Sequence, residues 1–472
     1  MPKPYFRLLR RPRVTNRLPL PSPGRAWPIV PLVVIVLALS GARTVRAQDA
    51  GRIAFDRFSL PNGLEVILAP DHASQVVAVS VWYRAGSRNE LPAKAGLARL
   101  FERLMFTGSA NIPAGGHGAI VEDAGGLLTA AVDEESSRYS ETLPSNRLNL
   151  GLWLEADRMR SLAINDTTVG QSQRGLLADL DARVGQEPYT GAILEAIASL
   201  YDSTTCPGYA HPSIGRVSSI QRLTTTDALD FFHKYYVPNN ARLVVTGDFE
   251  PAAARQQIAT FFGDIPRGPE VPDVACATTD TPGPRSSTVT DRLASRVAVG
   301  RFYRIPAHTD ADSPALELLG IVLSQGPGSR LMARLVRETR TADATQGGLL
   351  TDRSGPGAFG LFGVAAEGVS ADSLGAELAA QAAWAAGPGL TEADLDRARN
   401  IYLATAVSGR ERPVDMAEAL HHAAAMHGAI ESVNSEVAKV MAVSLTDLRR
   451  VAAAWLAAPR AVTVIVRPEA AS

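Results

Sequence analysis

The sequence predicts a duplicated α+β fold, and three observations carry that expectation. A proline-rich segment divides the chain after residue 47 near its middle, the two halves so defined close with one order of elements, and strand-like and helical runs alternate in both. The first repeat ends with Leu223-Thr224-Thr225-Thr226-Asp227, a helix through Phe231, Phe232 and Tyr236, then Pro238 and the apolar run Leu243-Val244-Val245. The second ends with Leu445-Thr446-Asp447, a helix through Val451 and Trp455, then Pro459 and the run Val462 to Val466. A capping residue, a helix, a proline stop and a buried strand recur in the same sequence. Between the repeats, Pro266 to Ser287 holds five prolines and two glycines and breaks every periodicity, so it reads as a linker.

The elements follow in order. Residues 1–47 carry nine Lys/Arg and no acid around the apolar run Ile29–Ala42, and end in Val45-Arg46-Ala47. A basic start, a short apolar stretch and small residues before Gln48 read as a secretory signal peptide. The run has 14 residues and contains Pro31, whereas a span needs about 20, so cleavage is expected over a permanent anchor. The expected location is therefore periplasmic or extracellular.

The expected domains are 52–265, the linker 266–287, and 288–468. Asn62-Gly63 between Phe58–Leu60 and Leu64–Leu68 signals a hairpin. Val76 to Arg84 reads as a strand, and Ala95 to Phe106 has helical periodicity.

Composition excludes two classes. With 46% hydrophobic and 20% charged residues the chain is an ordinary packed protein, not a disordered one. Without residues 1–47 the chain keeps 38 basic against 48 acidic residues, a net charge of −10 that does not attract nucleic acid. Two cysteines, Cys206 and Cys276, would be free to pair in an oxidising compartment, or to remain as isolated thiols.

The most informative stretch is Gly96-Leu97-Ala98-Arg99-Leu100-Phe101-Glu102-Arg103-Leu104-Met105-Phe106. Apolar residues 97, 100, 101 and 104 make one helix face, and 99, 102, 103 and 106 form a stripe beside it. This stretch resembles the signature of the insulinase/pitrilysin zinc metallopeptidases, Gly-Leu-Ala-His-x-x-Glu-His-x-x-Phe. Further likeness lies in Tyr83–Arg88, Leu154–Met159, Gln186–Tyr189, His211-Pro212 and Tyr235–Phe249.

The resemblance implies two homologous domains, each a mixed or antiparallel sheet flanked by helices, together forming half of a clam-like chamber. It also implies a zinc bound by two histidines and a more distant glutamate, with a glutamate general base. Here the histidine positions are Arg99 and Arg103, and the base position alone survives, as Glu102. Counting 77 residues on from Arg103 reaches Leu180, with Asp179 one residue away, and an earlier family glutamate falls on Gln173. A guanidinium has no lone pair to offer and stays protonated, so no zinc is expected.

In the second domain the resemblance makes Arg337 a candidate substrate contact, while the accompanying tyrosine position falls on Asp343 or Ala344. Gly125-Gly126 and Thr129-Ala130 occupy the place of the family's peptide-pairing edge strand. The eight histidines include His421, His422 and His427 on one helical run, whose spacing does not set two ligands on one face.

The resulting expectation is an inactive peptidase homologue that partners an active metallopeptidase of the family or a second copy of itself, with peptides as possible ligands. A scaffold without a proteolytic partner, and an active peptidase with unorthodox ligands, are the two alternatives.

Overall fold

Strands and helices alternate through two similar halves in a computed structural model that describes residues 52–274, 276, 285–351 and 353–469. The expected signal peptide, 1–47, lies outside the described residues.

The first half contains β1 (Asp56–Ser59), β2 (Glu65–Pro70), β3 (Val76–Tyr83), α1 (Leu97–Leu104), α2 (Gly116–Asp123), β4 (Leu127–Val132) and β5 (Ser137–Pro144). It continues with α3 (Leu148–Ser161), α4 (Asp166–Leu180), α5 (Thr190–Ala198), α6 (Val217–Ile220), α7 (Thr225–Tyr235), β6 (Ala241–Gly247) and α8 (Pro251–Phe262). The second half runs through β7 (Arg285–Asp291), β8 (Ala298–Ile305), α9 (Ser313–Ser324), β9 (Ala342–Thr351), β10 (Gly357–Ala365) and α10 (Ala371–Ala386). It closes with α11 (Glu392–Ser408), α12 (Pro413–His427), α13 (Glu436–Met441), α14 (Leu445–Trp455) and β11 (Val462–Pro468).

The sheet orders show the duplication directly. The first sheet is β1-β2-β6-β3-β5-β4 and the second β7-β11-β8-β10-β9. In each, the closing strand of the half pairs in parallel with one neighbour, β6 with β2 and β11 with β7, and every other pairing is antiparallel. The edge position of β4 therefore corresponds to that of β9.

Local chemistry accounts for the boundaries. The β1–β2 hairpin turns at Gly63, whose φ of 91° favours glycine. The adjacent Asn62 amide donates to the carbonyls of Phe262 and Ile265 at 2.8 and 3.0 Å, so the turn is also tied to the end of α8. α7 and α14 start with the same capping box, Thr224 with Asp227 and Ser444 with Asp447.

Each half covers the other's sheet. α12 lays Met416, Ala417, Leu420 and Ala423 against Ile67, Ala69 and Val244 of the first sheet. α5 and the turn after it set Ala196, Ile197, Leu200 and Tyr201 against Phe302, Phe362 and Val464 of the second. A sheet with both faces apolar needs both covered, and this exchange makes Ile53 onward one compact unit. Among the described residues no helix is long and apolar enough to cross a membrane.

Cys206 and Cys276 form a disulfide that joins the loop after α5 to the interrupted linker. Nearby, the Tyr209 hydroxyl donates to Glu135 at 2.6 Å, and Arg353 of the second half donates to Glu134 at 3.0 Å. The turn between β4 and β5 is thereby held by both halves.

Candidate functional site

The charged stripe of α1 faces α4. α1 begins at Gly96, in a left-handed conformation with φ 101° and no cap from its own side chain. The missing cap comes from Glu90, a buried carboxylate that accepts the N–H groups of Gly96 and Ala98 at 2.8 and 2.6 Å. Burial raises the Glu90 carboxyl to about 8, against the lowering effect of those two N–H donors and of Arg99. Leu97, Ala98, Leu100, Phe101 and Leu104 point into the core, which leaves Arg99, Glu102 and Arg103 on the outer stripe.

Arg99 donates from Nη1 to Glu102 Oε2 at 2.8 Å. Arg103 donates from Nε and Nη2 to Asp179 Oδ2 at 3.1 and 2.7 Å, crossing from α1 to α4. Its guanidinium lies against the backbone of Gly175, where an added Cβ would sit 2.7 Å from Nη1. Gly175 and Asp179 are one turn apart and share a stripe.

This placement corrects the count from sequence. Leu180 does not face Arg103. It is buried on the core stripe of α4 with Val169 and Leu176, because one residue turns a helix by about 100°. Asp179 is the carboxylate that the fold brings opposite α1. Gln173 is occupied elsewhere, its amide donating to the Ile220 carbonyl at 2.5 Å and tying α4 to α6. Arg337 lies in a helical turn, Met332–Glu338, and its guanidinium donates to the Pro327 carbonyl. Asp343, at one of the two tyrosine positions, is 3.6 Å from Arg296.

A zinc ion does not fit this donor set. Two guanidinium groups stand where neutral imidazoles would have to be, and the two carboxylates beside them are each already bound by one of those cations.

A second cluster, which sequence reading missed, lies behind the same helix. His117 on α2, Glu141 on β5 and Glu155 on α3 bring ligand-type atoms within 4.8 Å of one another, all buried. His117 Nε2 is 2.5 Å from Glu141 Oε1. Arg158, 1% exposed, donates through Nε to Glu155 at 2.9 Å and through Nη2 to the other oxygen, and stacks 4.5 Å over the Tyr139 ring. Glu155 and Arg158 are spaced i,i+3, a signal that the sequence does carry. The approach of His117 and Glu141, 24 residues apart, depends on the path of the chain between them. Here too a guanidinium already serves as the cation, so the cluster is a charge network with its own internal counter-ion.

Among the described residues, the histidine run on α12 makes no ligand set. His421 is buried and stacks flat on Trp82, with centroids 4.3 Å apart, while His422 meets His308 edge-on. The side chain of His427 lies outside the described residues.

Two family models match adjacent parts of the chain, Insulinase (Peptidase family M16) over residues 65–198 and Peptidase M16 inactive domain over residues 222–402. The chain belongs to the insulinase-type M16 family. A relative of high similarity is the zinc protease PqqE of Helicobacter pylori, 26% identical over 87% of this chain and 92% of that protein. Among solved structures, a protease from Helicobacter pylori superposes with a TM-score of 0.83 at 24% identity, covering 88% of this chain and all of that one. A peptidase M16 inactive domain from Pseudomonas fluorescens gives 0.79 at 18% identity, with 89% and 99% covered. At such identities these structures establish the shared fold.

Proposed function

We propose that this M16 protein is an exported, non-catalytic subunit that pairs with an active metallopeptidase of its own family and contributes one wall of a peptide chamber. The observation that carries the reading is the Arg103–Asp179 pair between α1 and α4. It joins the two helices that a zinc site would join, and it engages the carboxylate that faces α1 with a guanidinium in place of a metal. Glu102, in the general-base position, is bound to Arg99 and has no metal-bound water to activate.

What persists is the edge strand. Among the described residues β4 pairs on one side only, with β5, and its other side would offer backbone groups to an extended peptide. Leu127 on this strand is 70% exposed, an apolar contact beside that edge. Peptide recognition by strand addition needs no zinc, so binding can outlast catalysis. Family kinship with paired proteins supports the partnering: a similar chain is the mitochondrial-processing peptidase subunit beta of Blastocladiella emersonii, 24% identical over 44% of each.

The test has two arms. The purified protein is assayed for zinc by elemental analysis and for peptide cleavage, and no zinc and no activity are expected. It is then mixed with a family member that retains His-x-x-Glu-His, and peptidase activity is expected to rise, with Glu102→Gln behaving as the wild type. Stoichiometric zinc with chelator-sensitive cleavage by the isolated chain would overturn the reading. No effect on any intact family member would favour a scaffold role instead.

A further inference from the structure

The buried cluster behind α1 carries a consequence for α2 and the edge strand that follows it. α2 buries just two side chains, His117 and Val121, one turn apart. Its N-cap, Gly115, is left-handed with φ 74° and gives no side-chain cap. Alongside the apolar contacts of Val121 and Ile120, the helix is attached through a buried polar contact, His117 Nε2 to Glu141 Oε1 at 2.5 Å. The helix in turn positions the start of β4, since the Val121 carbonyl accepts the Gly126 N–H at 2.8 Å.

We propose that a single proton shared between His117 and Glu141 latches α2, and with it the edge strand β4, onto the first sheet. Burial keeps the imidazole neutral, lowering it to about 3, and raises the Glu141 carboxyl to about 8. The contact is then a neutral hydrogen bond in which the acid form of Glu141 donates to Nε2. The charged and titratable groups around the pair are Glu155, Asp157 and Arg158 on α3, Tyr139 on β5 and Tyr83 on β3. Arg158 is the cation among them and is bound by Glu155 through both oxygens. Losing the proton would place a second carboxylate beside Glu155, and the one cation facing both, Arg158, is already hydrogen-bonded to Glu155.

The direction of the pH effect follows from linkage. Opening α2 exposes Glu141 and moves its carboxyl from about 8 toward its ordinary 4.5, so opening releases a proton in that range and becomes easier by up to about tenfold per pH unit. Opening also returns His117 from about 3 to 6.5, so it takes up a proton between these and becomes about tenfold easier per unit as pH falls. The two slopes cancel between 4.5 and 6.5. The latch is tightest there, loosens toward pH 8, and loosens again below 4.5. It stands whether or not β4 binds peptide.

Hydrogen exchange of the full chain tests this, with β10 as the internal control and intrinsic exchange rates divided out. Residues 116–132 should lose up to about tenfold in protection per unit from pH 6.5 to 8, a slope that Glu141→Gln removes because its amide donates to Nε2 at any pH. No pH dependence in the wild type, or an unchanged slope in Glu141→Gln, would overturn the latch. Nitrogen NMR of the His117 ring provides a second measurement independent of any variant: a neutral ring accepting at Nε2 at pH 6 is expected, and an imidazolium would overturn the proposal. Zinc added to the wild type should leave 116–132 unchanged. Protection by zinc that His117→Gln abolishes would make the cluster a metal site and overturn the latch.

Discussion

Two charged clusters of the first half share a helix-to-helix neighbourhood and differ in burial. Arg103 and Asp179 are 42% and 46% exposed, whereas Glu155 and Arg158 are 0% and 1% exposed. In water an ion pair contributes little, since screening and side-chain entropy consume the Coulombic gain. In the interior the same chemistry is demanding, because a charge deprived of its partner keeps its full desolvation cost. The Arg103–Asp179 contact between α1 and α4 is an ordinary surface pair, while the buried network binds β5, α2 and α3 into one core.

Removing one member of each cluster should separate them. Arg158→Ala leaves Glu155 buried without its cation, and a loss of about 3–5 kcal/mol in denaturant unfolding is expected. A loss below about 1 kcal/mol would mean that water reaches the cluster and that the contrast in burial does not matter.

Glu90 stands between the two, buried like the inner cluster but serving the outer helix. Glu90→Ala strips two N–H groups at the start of α1 of their acceptor, and a cost of about 1.5–3 kcal/mol is expected. The accompanying rise in exchange should be confined to the first turn of α1.

The outer cluster should also be convertible. Arg99→His with Arg103→His frees Asp179 and supplies two imidazoles a turn apart, so zinc affinity measured by calorimetry should increase at least tenfold, about 1.4 kcal/mol. Adding Leu180→Glu should not improve it, since that side chain points into the core; folded yield should fall instead. A gain in affinity from Leu180→Glu would show that α4 presents a different face.

The smallest effect belongs to Arg103→Ala. Stability should fall by less than about 1 kcal/mol at low salt and the difference should vanish at 1 M salt. A cost of several kcal/mol would show that the surface pair has taken over the tie that zinc provides in relatives.

The sequence by itself determined the duplication, the placement of the hairpin, α1, α7 and α14, and the arginines on the outer stripe of α1. Those features are local: capping boxes, an Asn-Gly turn, a proline-rich break, and arginines at two positions of one helical motif. Helix and strand periods and the chemistry of a guanidinium are readable without knowing what lies opposite. Tertiary structure alone decided which residue of α4 faces α1, since a count along the chain is uncertain by one residue and one residue is about 100° of helix. It likewise decided that Cys206 and Cys276 pair, that α5 and α12 are exchanged between the sheets, and that His117 meets Glu141. Each of these is a contact between segments whose separation in sequence carries no geometric information until the sheets form, and burial, which sets the protonation of Glu141 and His117, exists only in the packed chain.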